Sequence, residues 1–146
     1  MRKVKISLIV MILIMIVVVS SFPLAGVAYA LCSGSACNGT DPQLTGCSAD
    51  AATVKTKYPP SGLARVELRF SDACQTRWSK VINIAALNYW ANATLRYWYY
   101  KSVYLGPGYT AYSFQRYGSG YRACGDVGPT QMNYLINDLP RCTGAY

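Results

Sequence analysis

The chain has 146 residues, with 14 lysines and arginines, six aspartates and glutamates, a formal net charge of +8 and no histidine. The absence of histidine excludes Ser-His-Asp and Cys-His catalytic sites and removes the commonest metal ligand of proteins. The basic residues are scattered along the chain, which favours a solvated surface over a nucleic-acid site.

The first 30 residues are typical of a secretory signal peptide. Residues 1–5 carry three positive charges, residues 6–19 are apolar apart from one serine, and residues 28–30 read Ala-Tyr-Ala. This order predicts cleavage after Ala30 and a single secreted domain over residues 31–146. The alternative is an uncleaved anchor, since the apolar stretch is long enough to span a bilayer. We therefore expect an extracellular protein that contacts a membrane only if this segment is retained.

All six cysteines follow that segment, and an even number in an exported domain predicts three disulfides: Cys32, Cys37, Cys47, Cys74, Cys124 and Cys142. We pair Cys124 with Cys142 and leave the first four cysteines to pair among themselves. A zinc site of four thiolates is the alternative, but an oxidising compartment disfavours it. We expect no metal and no cofactor.

Short strands separated by turns are predicted for the first half of the domain. Residues 50–57 indicate a strand, which proline and glycine in residues 58–62 bring to an end. Residues 64–71 form the clearest strand, because apolar and charged side chains alternate with a period of two. Residues 73–81 show apolar side chains at helical spacing, which predicts one short helical turn.

The second half is also predicted to be rich in strands. Residues 81–105 are rich in β-branched and aromatic side chains and predict two strands, with a helix over residues 81–93 as the alternative. Beyond them residues 109–117 are predicted to form a strand and residues 121–124 its hairpin partner. A turn at residues 125–129 and a last strand at residues 130–139 are predicted to follow. The expected fold is mainly β, a small disulfide-stapled sandwich or barrel-like domain.

Carboxylates are the remaining option for hydrolytic chemistry, with Asp41 and Asp50 as the candidate pair. Asp41 precedes a proline, where a side-chain-capped turn is the ordinary explanation. Asp50 has no obvious turn residue beside it. Glu67 is predicted on the outer face of its strand in a surface charge ladder, and Asp126 is predicted in a turn. The spacing of Asn38, Asp41 and Asp50 does not match a known calcium loop.

Aromatic residues are unusually frequent, with 13 tyrosines and three tryptophans in the chain. In residues 97–100 (Tyr-Trp-Tyr-Tyr) successive side chains of a strand would point to opposite faces. Exposed rings would suit stacking on sugars or packing against a partner. The alternative is that the tyrosines fill a small β core. The candidate ligand-binding residues are Asp41, Asp50, Tyr97, Trp98, Tyr99 and Tyr100.

The stretch CSGSACNGTDPQLTGCSADAATV at residues 32–54, followed by RVELRFSDACQTRW at residues 65–78, resembles the YjfA-like family of small secreted bacterial proteins, domain of unknown function 2690. The resemblance covers roughly residues 31–81. It implies an exported protein, because similar domains lie outside the membrane in regulators with a cytoplasmic DNA-binding part. It implies no catalytic residues.

We therefore predict a non-enzymatic extracellular binding or sensing module. Its expected partner is a cell-wall polymer or another extracellular protein. A secreted hydrolase that uses a carboxylate pair, or an enzyme inhibitor, is the alternative.

Overall fold

The computed structural model describes residues 30–95, 100–131 and 141–146, with only the backbone described at Tyr100. Within them eight strands form two antiparallel sheets, so the prediction of a mainly β fold is confirmed. The strands are β1 (Ala52–Lys57), β2 (Ala64–Ser71), β3 (Thr76–Asn83), β4 (Tyr89–Leu95), β5 (Tyr100–Leu105), β6 (Thr110–Tyr112), β7 (Arg116–Tyr117) and β8 (Ala123–Gly128). The predicted signal peptide and most of the predicted last strand lie outside the described residues.

The first sheet has the order β1-β2-β3-β6, and β7 also pairs with β3. Its centre is the long β2–β3 hairpin, in which Val66 lies opposite Val81 and Glu67 opposite Lys80. The edge strand β1 carries a bulge between Thr53 and Lys55. Bulges and lysines on an edge strand discourage pairing with other chains, so this edge is protected.

The second sheet has the order β5-β4-β8. It packs on the first sheet through alanine, valine and leucine side chains, and the shared core includes Ala64, Val66, Leu68, Val81, Ala91, Ala93, Leu95, Leu105, Ala111, Ala123 and Val127. The predicted turn at residues 125–129 is wrong, because most of it belongs to β8. Gly125 serves here as a site of close approach: a Cβ atom on it would lie 2.3 Å from Cγ2 of Val81.

The predicted helical turn at residues 73–81 is also wrong, since β3 begins at Thr76, and the alternative helix over residues 81–93 does not form. Six of the eight residues of β3 are buried and the other two are half-buried, so the strand has no exposed face that would show as an alternating pattern. Both faces of β3 are covered, one by the second sheet and one by the N-terminal residues. A strand covered on both faces loses its period-two pattern.

The predicted hairpin through residues 118–120 does not form either. The predicted strand at residues 109–117 is divided into β6 and β7, both paired with β3, whereas β8 pairs with β4. Residues 113–115 between them have buried side chains at Ser113 and Gln115. The chain therefore passes from the first sheet to the second between β7 and β8.

Residues 31–51, named here the N-terminal cap, cover the face of the first sheet that points away from the second. The cap contains a 3₁₀ turn at Gly34–Cys37, and its cysteines pack against Trp78. The prediction of three disulfides is confirmed, with the pairs Cys32–Cys37, Cys47–Cys74 and Cys124–Cys142. The second pair attaches the cap to the β2–β3 turn.

Among the described residues, no helix has the length and apolar character needed to cross a membrane.

Candidate functional site

A small cavity lies between the N-terminal cap and the outer face of the first sheet. Its volume is about 140 Å³, and its walls are formed by Gln43, Ser48, Arg69, Trp78, Lys80 and Tyr112. The strand register explains this set, because Arg69 lies opposite Trp78, and Lys80 lies opposite Tyr112. Side chains of directly paired residues emerge on the same face of a sheet. The cavity is therefore a product of strand pairing and of the cap laid over it.

The cavity wall carries more positive than negative charge. Glu67, only 6% exposed, lies next to two of the wall residues and contacts three cations in all. Arg65 Nε lies 3.0 Å from Glu67 Oε1, while Arg69 Nη1 and Lys80 Nζ each lie 3.7 Å from Glu67 Oε2. One carboxylate cannot neutralise three cations, so the cluster has a net charge of +2. The predicted charge ladder is present, but the prediction that Glu67 lies on the surface is wrong, because its side chain is buried.

Arg69 is held in place by more than its ion pair. Its guanidinium donates hydrogen bonds to the Thr53 hydroxyl and to the backbone carbonyl of Ala51. The Thr53 hydroxyl in turn donates to Glu67 Oε2 at 3.1 Å. These contacts fix the guanidinium at the cavity wall because several donors of its rigid fork are engaged at once.

Trp78 forms the buried wall of the cavity. Its side chain is fully buried, and its indole Nε1 has no hydrogen-bond partner among the described residues. An indole N–H can only donate. A buried donor that stays unpaired costs about 1–3 kcal/mol, so this atom is an unusual feature of the site.

A buried polar cluster holds the cap against the sheet beside the cavity. Gln115 is fully buried, and its Nε2 donates to Oγ1 of Thr40 at 2.9 Å and of Thr45 at 2.8 Å. Its Oε1 accepts from Thr76 Oγ1 at 2.7 Å. The role of Gln115 could not be predicted from the sequence, because a glutamine between two short strands carries no recognisable pattern.

Asp41 has a structural role in both of its contacts. Its Oδ1 accepts from the backbone N–H of Gln43 at 2.8 Å, which is the turn expected before a proline. Its Oδ2 lies 3.1 Å from Nζ of Lys101 on β5. The carboxylate thus connects the N-terminal cap to the second sheet.

Asp50 anchors the β2–β3 turn. It accepts hydrogen bonds from Ser71 Oγ at 2.6 Å and from the backbone N–H of Ala73 at 2.8 Å. Partial burial alone would raise the pKa of Asp50, but these hydrogen bonds outweigh it and hold the pKa below its ordinary value. An ionised carboxylate with this many donors is a turn anchor and a poor proton donor.

The sequence predicts Asp126 in a turn, but the residue lies in the strand β8. Its Oδ2 accepts from Nε of Arg141 at 2.8 Å, and its Oδ1 accepts from the hydroxyl of Ser61 at 2.6 Å. These partners come from segments distant in sequence, and no local pattern could have indicated them.

Of the predicted aromatic run, Tyr97, Trp98 and Tyr99 lie outside the described residues, and so does the side chain of Tyr100. Elsewhere on the second sheet Trp90 packs against its cross-strand partner Tyr104, with ring centroids 5.4 Å apart. Tyr104 remains 55% exposed. At least one aromatic pair of this sheet therefore reaches the surface.

The sulfur atoms of Cys32, Cys37 and Cys47 lie within 4.8 Å of one another, a spacing compatible with a metal site. Each of these sulfurs is already part of a disulfide. Metal binding requires the thiolate form, so this group is two adjacent disulfides packed together.

One family model matches the chain, over residues 35–110, and its description is Protein of unknown function (DUF2690). The matched residues run from the 3₁₀ turn to the start of β6 and include every cavity residue except Tyr112. No curated protein and no solved structure matches. Because the matched segment is 76 of 146 residues, the chain belongs to the DUF2690 family.

Proposed function

We propose that the protein is a non-enzymatic binding module that works outside the cell and recognises anionic cell-wall polymers. The observation that carries this proposal is the positive charge of the cavity wall. Arg69 and Lys80 lie in this wall, and both share the single carboxylate of Glu67 with Arg65. Cationic walls with aromatic surfaces suit acidic sugars and phosphate-containing chains.

An extracellular location is supported by the disulfides. Three disulfides and no free cysteine occur in the described residues, and disulfides persist in oxidising compartments. The signal-peptide pattern of residues 1–30 supports the same location.

The alternative function, a hydrolase that uses a carboxylate pair, has less support. Asp41 pairs with Lys101 of the second sheet, whereas Glu67 pairs with cations of the first. Asp50 is occupied by the β2–β3 turn. Each candidate carboxylate thus has a structural partner of its own, and no observation favours an inhibitor.

The test is retention on cell wall. The exported protein, recovered from culture medium, is mixed with purified bacterial wall and with wall stripped of its anionic polymers, at low and high salt. We expect retention on intact wall that weakens with salt, since exposed charges are screened, and little retention on stripped wall. Equal retention on both preparations contradicts the proposal.

The same incubation tests the alternative function. Release of soluble wall fragments by the wild-type protein, lost in Asp50→Ala, would favour the hydrolase.

A further inference from the structure

We propose that the cavity is a subsite for one acidic group of the ligand, a carboxylate or a phosphate. Lys80 and Arg69 bind it, and Trp78 forms the wall beside them. This inference rests on the proposed function, because it names the part of an anionic polymer that the protein holds.

Lys80 supplies the most available charge. Its Nζ lies 3.7 Å from the carboxylate of Glu67, which is longer than the 2.7–3.2 Å of a hydrogen bond to oxygen. An ammonium group has three donors, and the Lys80 side chain is 22% exposed. The ammonium can therefore turn toward an anion without losing a hydrogen bond to Glu67.

Arg69 adds a second charge in a fixed position. Its contacts to Ala51 and Thr53 immobilise the guanidinium before any ligand arrives, so less conformational freedom is lost on binding. The surplus charge of the cluster then favours an anion over a neutral group.

Trp78 supplies a wall beside the two cations. Its side chain is fully buried and lines the cavity, and the residue lies opposite Arg69 in the strand register. An anion that enters the cavity would change the electrostatic environment of the indole ring, so the resonance of its N–H can report binding without contacting the ligand.

The size of the cavity limits what enters it. Sites for complete drug-sized ligands have volumes of about 300–1,000 Å³, whereas this cavity has about 140 Å³. It is large enough for one acidic group but not for a polymer unit with its neighbours. Gln43 and Ser48 of the N-terminal cap provide polar contacts at its edge.

The experiment follows the Trp78 indole N–H by NMR in the exported protein recovered from culture medium. Inorganic phosphate and acetate are added separately at constant ionic strength, and Trp78→Phe identifies the resonance. We expect a saturable shift of this resonance with at least one probe. A shift with phosphate alone indicates a phosphate group of the ligand, and a shift with acetate alone indicates a carboxylate.

Two variants form a matched pair. Lys80→Gln and Arg65→Gln each remove one cation from beside Glu67, but only Lys80 lines the cavity. We expect Lys80→Gln to raise the Kd of the bound probe about tenfold, which is the loss of one charged hydrogen bond. Arg65→Gln should leave the Kd within about twofold.

An indole resonance that neither probe moves would overturn the subsite, as would equal weakening in the two variants. Wall retention unchanged by Lys80→Gln, with no probe binding, overturns the subsite while the proposed function stands. Probe binding without wall retention has the opposite meaning: it supports the subsite and contradicts the polymer as ligand.

Discussion

Thr76 donates a hydrogen bond of 2.7 Å to Gln115, across 39 residues of sequence and between two fully buried side chains. The same glutamine donates to Thr40 and Thr45 of the N-terminal cap. One side chain thus connects β3 with the cap that forms one wall of the cavity. The position of the cap depends on this buried polar cluster as well as on the Cys47–Cys74 disulfide.

Gln115→Ala is expected to lower the free energy of unfolding by about 3 kcal/mol, because it leaves buried hydroxyls unpaired and opens a cavity. Urea denaturation measures the change. Gln43→Ala, at an exposed position, is the control and should cost less than about 0.5 kcal/mol. Similar losses for the two variants would show that the cluster is not important for stability.

The Cys47–Cys74 disulfide should contribute more stability than Cys32–Cys37. The first joins residues 27 apart and the second residues 5 apart. Loop-closure entropy then predicts contributions of about 3.5 and about 2 kcal/mol. Double alanine variants compared by urea denaturation without reductant measure this order. The reverse order would contradict the entropic explanation.

The Asp50 carboxylate should stabilise the protein only above the acid range. Its pKa in the folded protein is below the ordinary value, so its contribution is present above the unfolded pKa of about 3.9 and is lost as pH falls through the folded pKa. Asp50→Ala should therefore be less stable than wild type at neutral pH, with a difference that shrinks below about pH 4.

The control for this comparison is Asp72→Ala, which removes an exposed acid of the same turn and leaves the hydrogen bonds to Asp50 in place. It should change the free energy of unfolding by less than about 0.5 kcal/mol. A pH-independent loss in Asp50→Ala would mean that the turn depends on packing and not on the charge.

Glu67→Gln should destabilise the protein by about 2 kcal/mol at low salt, because three cations then lose their shared carboxylate. Added salt should reduce the loss, since the three cations are partly exposed and their repulsion is screened. Urea denaturation at low and high ionic strength measures both effects. The exposed Lys55→Gln is the control, and a salt-independent loss would assign the effect to packing.

Gly125→Ala should destabilise the protein by about 3 kcal/mol, because the new Cβ would lie 2.3 Å from Cγ2 of Val81 and 2.6 Å from the backbone oxygen of Asn92. Gly128→Ala in the same strand meets nothing within 4 Å and should be nearly neutral. Thermal unfolding of the two variants measures the contrast. Equal stability would show that the sheets can separate locally at no cost.

Local sequence patterns predicted part of the fold well. The strand Ala64–Ser71 was predicted at its observed bounds, because alternation of apolar and charged residues depends only on neighbours in the chain. The bridge between Cys124 and Cys142 was also predicted. The strand β3 was missed because the second sheet and the N-terminal cap bury its two faces, which removes the alternation.

The sequence by itself determined the β character of the domain, the set of cysteines that form disulfides and the membership of the family, since these depend on residue types and short spacings. The tertiary structure decided the rest. Arg69, Trp78, Lys80 and Tyr112 meet only because antiparallel register places them side by side, and Gln43 reaches them only because the cap folds over the sheet. Contacts between residues far apart in sequence leave no local pattern, which is why the candidate site appears only in three dimensions.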